Sequence, residues 1–510
     1  MQAEMSFLID SNIVISAEPF NGQLEDQQPA VSKLLRIAAE NGHRVYVHPA
    51  TLDDLQQTTS AAHRAQNVAA FSKYPALSEM PVPDEVWAVF PASPNPHDQR
   101  DARILTALHS GAVHFFITSD ERLRKRAIRL GHELRTLRPG EAAVQLAAWH
   151  PESPPPPPMV EAVKTYELDE RQEIFGSLRA DYSPSFDSWL QRVKRESNSR
   201  RAWIIRSPEG SYEALALLKM RDTHPTRADD SAIKLSTFKI SEGAGGRRLG
   251  ELLLKAVLRW AASEPGRPSD LFVEVNAKQE RLLEFLADFG FFDAGAKTGR
   301  DDERIYLKQL DPDELTSSSG LEYHIRYGPP AVGSGQPMYL IPITPSWYVD
   351  LFPDATVVGA SGSMMLADTF SSPKAHGNAI RKAYLCHSPT KNIPAGSTLL
   401  FYRSQGGVRG DGAVVAVGVA EKSQRSSDPI ETIELSFKRT VYSASDVAGL
   451  HRGGRDVLTI LFRHDRFIVP PWPLRELVSN RVVTTWPQSI VRVRNEEGAA
   501  WVEQQLSASH

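Results

Sequence analysis

The chain has 510 residues, more than one hydrophobic core usually serves, so we expect about two to four domains. A hydrophobic content of 41% and a charged content of 24% are typical of a globular protein, and no apolar run is long enough to cross a membrane. We therefore expect a cytoplasmic protein with no membrane partner. The formal net charge of −4 excludes a globally basic nucleic-acid coat, and the single cysteine, Cys386, excludes an internal disulfide and a cysteine-rich zinc site.

The first 148 residues alternate between strand and helix patterns. Continuous apolar runs bounded by polar residues predict buried strands, and apolar residues at helical spacing predict amphipathic helices. Such alternation predicts a parallel sheet covered by helices. The predicted strands are 7–9, 45–48, 113–117 and 133–137, and the predicted helices include 31–39, 51–64 and 121–128.

Acidic residues stand near the ends of these strands. Asp10 follows the first strand, Asp53 and Asp54 lie in the first turn of the helix after the second, and Asp120 follows the third. Asp101 lies near the start of the helix that precedes the third strand. Taken singly, Asp98, Asp101 and Asp120 could each be a helix cap. Together in one cleft they would repel one another unless a cation neutralised them, and oxygen ligands suit Mg²⁺ or Mn²⁺.

In their order and spacing these residues resemble the PIN-domain nucleases, over about residues 1–148. The resemblance implies an α/β/α domain and a metal-dependent endoribonuclease that uses Mg²⁺ or Mn²⁺. It implies metal ligands at Asp10, Asp54, Asp101 and Asp120, with Asp53 as the alternative to Asp54, and catalytic hydroxyl groups at Thr118 and Ser119.

Residues 149–160 contain five consecutive prolines, Pro154–Pro158. Such a run cannot join a helix or a sheet and forms a stiff spacer, so this segment is predicted to be a linker. We then expect residues 1–148 to fold around their own core, and their metal site to survive deletion of 375–495.

Residues 161–312 carry three apolar segments that predict successive antiparallel strands, at 202–205, 213–220 and 233–240. A glycine-rich turn, 241–250, follows them and leads into a predicted helix. A turn of this kind presents backbone N–H groups and a positive helix end to a pyrophosphate.

A further strand, 271–275, and a helix ending near Phe289 follow. This order of strands and helices resembles that of the GNAT acetyltransferases, which have an α+β fold. The resemblance implies acetyl-CoA as a cofactor. Three positions depart from the family pattern. In the loop, Gly245 replaces an Arg or Gln and Arg248 replaces a glycine, and Leu286 replaces the tyrosine that often protonates the CoA thiolate. The implied cofactor-binding residues are Gly243, Gly245, Gly246, Arg247, Arg248, Gly250 and Asn276.

Residues 321–510 are predicted to be mainly strand, with strands at 398–402, 413–419, 433–436 and 457–463. Short strands separated by turn residues predict a small β-barrel. The segment 375–495 is similar to PUA-like barrels of the ASCH kind, which implies binding of RNA or a modified base. The predicted RNA-binding residues are Tyr402, Arg403, Lys438, Arg439, Tyr442 and Gln488.

Together these patterns predict a multidomain α/β protein. The leading hypothesis is an endoribonuclease that cleaves structured RNA such as tRNA, acting as a toxin or phage-defence effector with a neutralising antitoxin protein as partner. The alternative is an acetyl-CoA-dependent N-acetyltransferase, or an acyl-CoA-sensing RNA-binding protein whose first domain does not cut.

Overall fold

The computed structural model describes most of the chain, and everything below concerns the residues that it describes. They are 4–17, 28–56, 60–150, 158–182, 185–227, 229–241, 244, 247–297, 300–312, 319–355, 375–404 and 412–508. Pro154–Pro157, Gly243, Gly245 and Gly246, which carry part of the linker and loop predictions, lie outside the described residues.

The chain divides into two compact units. The first comprises residues 1–154, 245–247 and 426–457, and the second comprises 155–244, 248–425 and 458–510. No described helix is both long and apolar enough to span a bilayer.

The first unit contains a four-stranded parallel sheet in the order β2-β1-β3-β4. Parallel strands are buried on both faces, which agrees with the fully buried run Phe7–Ile9 in the central strand. The strands are β1 (Ser6–Ile9), β2 (Arg44–Tyr46), β3 (Phe115–Ile117) and β4 (Thr136–Leu137). The helices are α1 (Ser11–Ala17), α2 (Gln28–Glu40), α3 (Pro49–Leu55), α4 (Ala61–Phe71), α5 (Asp84–Trp87), α6 (Pro96–His109), α7 (Glu121–Arg129) and α8 (Pro139–Trp149).

The predicted parallel sheet covered by helices is therefore observed, with two local differences. The single helix predicted over 51–64 is two helices, α3 and α4. The strand predicted over 133–137 is reduced to Thr136–Leu137, because Glu133–Arg135 form a 3-10 turn.

The second unit contains two sheets. The first of them has seven strands in the order β10-β11-β9-β8-β7-β6-β5. Neighbouring strands pair antiparallel except for β8 with β9, which are parallel over only three residue pairs, Ile233–Leu235 with Leu271–Val273. The strands are β5 (Val160–Val163), β6 (Arg200–Arg206), β7 (Tyr212–Thr223), β8 (Ser231–Ile240), β9 (Asp270–Asn276), β10 (Phe292–Lys297) and β11 (Arg300–Gln309).

Four helices lie in the described part of residues 158–312. The longest, α11, buries Leu253, Leu254 and Val257 against the sheet, and this apolar stripe accounts for its position. The helices are α9 (Ile174–Tyr182), α10 (Phe186–Arg195), α11 (Leu249–Ser263) and α12 (Glu280–Asp288).

The other sheet of the second unit has six strands in the order β13-β16-β15-β14-β12-β17. Its closure into the predicted barrel stays a prediction. The strands are β12 (Met338–Ile343), β13 (Arg381–Cys386), β14 (Thr398–Arg403), β15 (Ala413–Ser426), β16 (Val457–Pro473) and β17 (Val491–Arg492). The helices of residues 320–508 are α13 (Gly320–Tyr327), α14 (Pro345–Leu351), α15 (Pro429–Ser436), α16 (Ala444–Leu450), α17 (Leu474–Ser479) and α18 (Glu496–Ala508).

The strand predicted over 433–436 is wrong, because these residues are the end of α15. Asp428 caps this helix by accepting a hydrogen bond from the Ile430 N–H at 2.8 Å, and Pro429 occupies its first position. A capping residue followed by proline is a helix start signal, and it outweighs the short apolar alternation that predicts a strand.

Residues 426–457, which we call the insertion, belong to the first unit although they lie between β15 and β16. Phe437 of the insertion is fully buried, and its ring centroid lies 4.3 Å from that of Phe115 and 5.0 Å from that of Trp149. Lys438 Nζ donates a hydrogen bond to the Glu133 carbonyl at 2.6 Å. The insertion therefore adds to the core beside β3, a contribution that the prediction of a separate core in residues 1–148 did not include.

Candidate active site of the first unit

Asp10 lies at the carboxyl end of the central strand β1 and is only 5% exposed. Its Oδ2 accepts hydrogen bonds from Thr118 Oγ1 and Asn12 Nδ2, both at 2.7 Å, and its Oδ1 accepts one from the Ser11 N–H at 2.7 Å. These neutral donors fix the carboxylate in one orientation. Asn12 was not predicted, and its position two residues after Asp10 is the only sequence signal for it.

Asp120 follows β3 and is the N-cap of α7. Its Oδ1 accepts hydrogen bonds from the N–H groups of Arg122 and Leu123 at 2.8 and 3.1 Å. Its own N–H donates to Thr118 Oγ1 at 2.9 Å, so the buried Thr118 hydroxyl joins Asp120 to Asp10. Asp120 thus caps α7 and also lies close to the end of β3.

Ser119, the other predicted hydroxyl residue, is half-buried. Its backbone N–H donates to Asn12 Oδ1 at 3.1 Å. This bond ties the turn after β3 to the residues that follow β1.

Asp54 and Asp53 contact different partners. Asp54 Oδ2 accepts a hydrogen bond from Ser11 Oγ at 2.8 Å, which places it beside Asp10, and Arg100 Nη2 lies 3.3 Å from its Oδ1. Asp53 instead pairs with Arg103 at 2.7 Å. The contact through Ser11 therefore favours Asp54 as the member of the cluster.

Asp101 lies one turn into α6, whose start is fixed by a capping box between Asn95 and Asp98. Arg126 of α7 donates from Nη1 to Asp101 Oδ2 at 2.7 Å and from Nη2 to Asp98. From the sequence, Asp98 is predicted only as a possible helix cap, and Arg126 is not predicted. The position of Asp98, three residues before Asp101 and so on the same helix face, is a signal for its place in the site.

The protonation equilibria of this cluster reflect burial and mutual repulsion. Burial raises the pKa of Asp10 above its usual range, and the charges of Asp120 and Asp54 add to the rise. Burial likewise raises the pKa of Asp101 to about 7, against the opposing effect of His97 and Arg126. Hydrogen bonds through Ser11 and Thr118 place Asp54 and Asp120 beside Asp10, and the charges of Asp10 and Asp120 add to the raised pKa of Asp101.

Whether these acids fit a metal ion depends on their partners. Over the described ranges, no three His, Cys, Asp or Glu side chains are arranged to hold a metal as they stand. Arg126 and Arg100 engage carboxylates of Asp101 and Asp54. The donor chemistry, carboxylate and hydroxyl oxygen, nevertheless suits Mg²⁺ or Mn²⁺.

The raised pKa of Asp101 predicts a pH-dependent stability in the absence of metal. An aspartate whose pKa rises from about 3.9 in the unfolded chain to about 7 in the fold binds more protons when folded, so stability falls as pH increases between these values. We expect thermal unfolding in EDTA to show that Asp101→Asn is more stable than the unmodified protein at pH 8, by on the order of 2 kcal/mol. The matched control is Asp53→Asn, and equal pH dependence for both variants would contradict the prediction.

The structure describes only some of the predicted cofactor-binding residues. Arg248 is the N-cap of α11 and has a left-handed backbone, with φ of 59°. Its Nη1 lies 3.3 Å from Glu251 Oε1. A Cβ atom on Gly250 would meet the Phe285 ring at 3.6 Å, an ordinary contact, so close packing does not require glycine there. Arg247 lies in the bend before Arg248, and Asn276 ends β9, where its Nδ2 donates to Asp302 at 3.1 Å.

Leu286 occupies the position at which the GNAT resemblance of the sequence implies a tyrosine. It is fully buried in the core between α11 and α12. This position therefore cannot deliver a proton to a bound thiolate.

Glu251, in the first turn of α11, connects the two sheets of the second unit. Its Oε2 accepts hydrogen bonds from the N–H groups of Ile380 and Arg381, at 2.8 and 3.0 Å. The start of α11 is thus anchored to the start of β13.

The predicted RNA-binding residues do not form one exposed surface, and this prediction needs correction. Tyr402 is 1% exposed, and its hydroxyl lies against the backbone of Gly412. Arg403 is half-buried, with its guanidinium 5.1 Å from the centroid of the Tyr348 ring. Lys438, Arg439 and Tyr442 are buried in the insertion, which belongs to the first unit, and Gln488 alone of the six is exposed.

No protein-family model and no curated protein matches the sequence. A GNAT-family acetyltransferase of Staphylococcus aureus is 14% identical, with 30% of this chain and 100% of that chain covered and a TM-score of 0.25. A spermidine N-acetyltransferase variant of Vibrio cholerae is 13% identical, with 30% and 93% covered and a TM-score of 0.24. An ASCH protein of Zymomonas mobilis is 17% identical, with 34% and 94% covered and a TM-score of 0.23.

The solved structures similar to parts of this chain thus include GNAT acetyltransferases and an ASCH protein. These structures concern the GNAT and ASCH resemblances of the sequence and not its resemblance to the PIN-domain nucleases. Because TM-scores of this size carry no argument about activity, the proposals below rest on the geometry of this chain.

Proposed function

We propose that the first unit is a metal-dependent endoribonuclease. The observation that carries the proposal is the convergence of Asp10, Asp54, Asp101 and Asp120 at one edge of a parallel sheet, where their mutual repulsion adds to the raised pKa of Asp10 and Asp101. Clustered carboxylates repel one another, so such clusters are more typical of functional sites than of cores selected for stability.

Asp10, Asp120 and one oxygen each of Asp54 and Asp101 would hold a divalent ion. When bound, Mg²⁺ or Mn²⁺ supplies an acidified water and charge stabilisation for phosphodiester hydrolysis. Thr118, Asn12 and the Ser11 N–H keep Asp10 oriented, and the α7 N–H groups do the same for Asp120. This preorganisation is what a metal-assisted displacement needs from the protein.

RNA as substrate, with structured RNA such as tRNA in first place, is part of this proposal, and so are the toxin or defence role and the antitoxin partner. The test is to incubate the purified protein with total RNA, with Mn²⁺ or with EDTA, and to sequence new RNA ends. We expect new ends only with Mn²⁺. A pattern of ends that EDTA leaves unchanged would overturn the proposal.

The second candidate function is acyl-CoA binding by the seven-stranded sheet, with acetyl transfer as its enzymatic form. The observation that favours it is the left-handed backbone of Arg248 directly before α11, next to strands β8 and β9 that pair over only three residues. A non-glycine residue in this conformation costs about 1 kcal/mol and persists where the loop shape is required. Since Leu286 is a core residue, the geometry supports binding better than transfer.

For this candidate we expect calorimetry to show that acetyl-CoA binds the full chain. Arg248→Gly should bind it at least as tightly, because glycine adopts the left-handed backbone without strain and removes a bulky side chain from the loop. Gly266→Ala, at a left-handed turn after α11, is a control for unrelated backbone strain. No binding by either the unmodified protein or Arg248→Gly would leave this region as a scaffold.

A further inference from the structure

The second unit contains a cleft with a volume of about 760 Å³. It lies between α11, α13 and the loop 329–336, which belongs to the connection from α13 to β12. None of its described lining residues falls within 375–495, the segment similar to ASCH barrels. Pockets for small molecules usually have volumes of about 300–1,000 Å³, so this cleft has the size of a ligand site.

Two of the lining helices give the cleft an apolar and aromatic surface. Leu258 and Ala262 belong to α11, and Tyr323 and Tyr327 belong to α13, where their ring centroids are 5.0 Å apart. Tyr323 is half-buried, and over the described residues its hydroxyl has no hydrogen-bond partner. Burial raises the pKa of Tyr323, so the hydroxyl keeps its proton at neutral pH and can donate to a ligand. Flat aromatic molecules pack well against a surface of this kind.

The charges that line the cleft are already paired. Arg267 and Asp311 are the charged residues of its described lining, and Arg267 donates two hydrogen bonds to the Asp311 carboxylate, at 3.0 and 2.8 Å. Other polar side chains that line it are neutral, with hydroxyl groups on Ser334 and Ser507 and an amide on Gln336. The cleft therefore offers hydrogen bonds to a ligand but no unpaired charge for a phosphate or an ammonium group.

A buried carboxylate holds three of the lining segments in place. The side chain of Asp465 is fully buried, accepts a hydrogen bond from the Ala331 N–H at 2.8 Å and lies 3.3 Å from His324 Nδ1 of α13. Arg466 donates to Asp465 at 2.6 Å and to the Leu506 carbonyl of α18 at 3.0 Å. Buried charge networks of this kind contribute more to a fixed conformation than to net stability. The cleft is therefore preorganised, which lowers the entropy lost on binding.

We propose that this cleft binds an uncharged, flat heteroaromatic molecule of about the size of a nucleoside. The ring packs against Leu258 and the tyrosine rings of α13, and its polar edge forms hydrogen bonds with the Tyr323 hydroxyl and the Gln336 amide. The volume of the cleft sets the size of the ligand, the aromatic and apolar walls set its flat shape, and the paired charges disfavour an ion. This inference is independent of the proposed nuclease and acyl-CoA functions, because it uses neither the acids of the first unit nor the loop before α11.

The test is calorimetric titration of adenosine and of uridine into the full-length protein, with adenosine and uridine monophosphate as matched charged probes. We expect at least one nucleoside to bind, with one molecule per chain, and its monophosphate to bind at least about tenfold more weakly, because the phosphate finds no unpaired cation. Ala262→Trp should abolish binding, because the indole fills the cleft. Ala287→Trp on α12 is the matched control, since Ala287 is exposed, and its affinity should not change.

Tyr323→Phe keeps the ring and removes only the hydroxyl, so it should bind the nucleoside about fivefold to tenfold more weakly. This variant also tests the site in case Ala262→Trp is unstable, and thermal melting checks the folding of each protein. Nucleoside binding that neither Ala262→Trp nor Tyr323→Phe weakens would place the ligand elsewhere and overturn the assignment. Absence of binding by both nucleosides would overturn the site itself, and equal binding of a nucleoside and its monophosphate would overturn the uncharged class.

Discussion

Asp10→Asn is expected to lower the rate of Mn²⁺-dependent RNA cleavage by about a thousandfold or more while the protein stays folded. On the proposed function, the substitution would remove the charge of a central metal ligand, and metal-ion stabilisation of a phosphodiester transition state is worth several kcal/mol. Stability should hold or rise, because the substitution relieves repulsion from Asp54 and Asp120. The measurement is the rate of appearance of new RNA ends, with thermal melting in parallel.

The same substitution at Asp53 and at Asp54, which are adjacent in the chain, provides a matched comparison. Asp54 contacts Ser11 beside Asp10, whereas Asp53 pairs with Arg103. Asp54→Asn should therefore lose cleavage and Asp53→Asn should retain it, although the two changes are chemically identical. Cleavage that survives Asp10→Asn, or a loss confined to Asp53→Asn, would show that the chemistry lies elsewhere.

Phe437→Ala is expected to destabilise the first unit by about 3–5 kcal/mol, the usual cost of removing a fully buried phenylalanine. The ring packs against Phe115 of β3 and Trp149 of α8, so its loss opens a cavity beside the strand that leads to Asp120. Chemical denaturation should show an earlier transition, and Mn²⁺ binding should weaken with it. The expected effect is large because the stability of a whole domain is commonly about 5–15 kcal/mol.

Phe292→Ala is the matched control, because Phe292 is 44% exposed and loses the same atoms. It should change stability by no more than about 0.5 kcal/mol. Deleting residues 375–495 removes Phe437 and Lys438 as well, so the truncated chain should lose the proposed Mn²⁺ binding that a separate core would have preserved. A truncated protein with unchanged Mn²⁺ binding would show that the insertion is dispensable.

The alternation of strands and helices in residues 1–148 can be predicted because it follows from local periodicity. Strand β1 is a continuous apolar run, and Asp10 follows it directly. In a parallel sheet the carboxyl ends of neighbouring strands share an edge, so the sequence pattern alone places Asp10 and Asp120 near one another. The helix start at Asp428 and Pro429 is also present in the sequence, but the apolar residues after it favour a strand.

Other features depend on contacts between distant residues. No periodicity indicates that Phe437 packs against Phe115, because the two are far apart along the chain. The burial of Tyr402 and Tyr442 is likewise a property of packing, since a tyrosine in a strand or loop can face either the core or solvent. The prediction of a stacking surface at these two residues is wrong for this reason.

The sequence by itself determined that Asp10 and Asp120 follow strands and that Thr118 lies beside Asp120, and it predicted the parallel sheet that brings these residues together. Only the tertiary structure decided which partner each acid has. Helix α7 brings Arg126 onto Asp98 and Asp101, α6 brings Arg100 to Asp54, and Ser11 selects Asp54 over Asp53. The physical reason is that periodicity and capping act over a few residues, whereas the pairing of a buried charge depends on which elements pack around it.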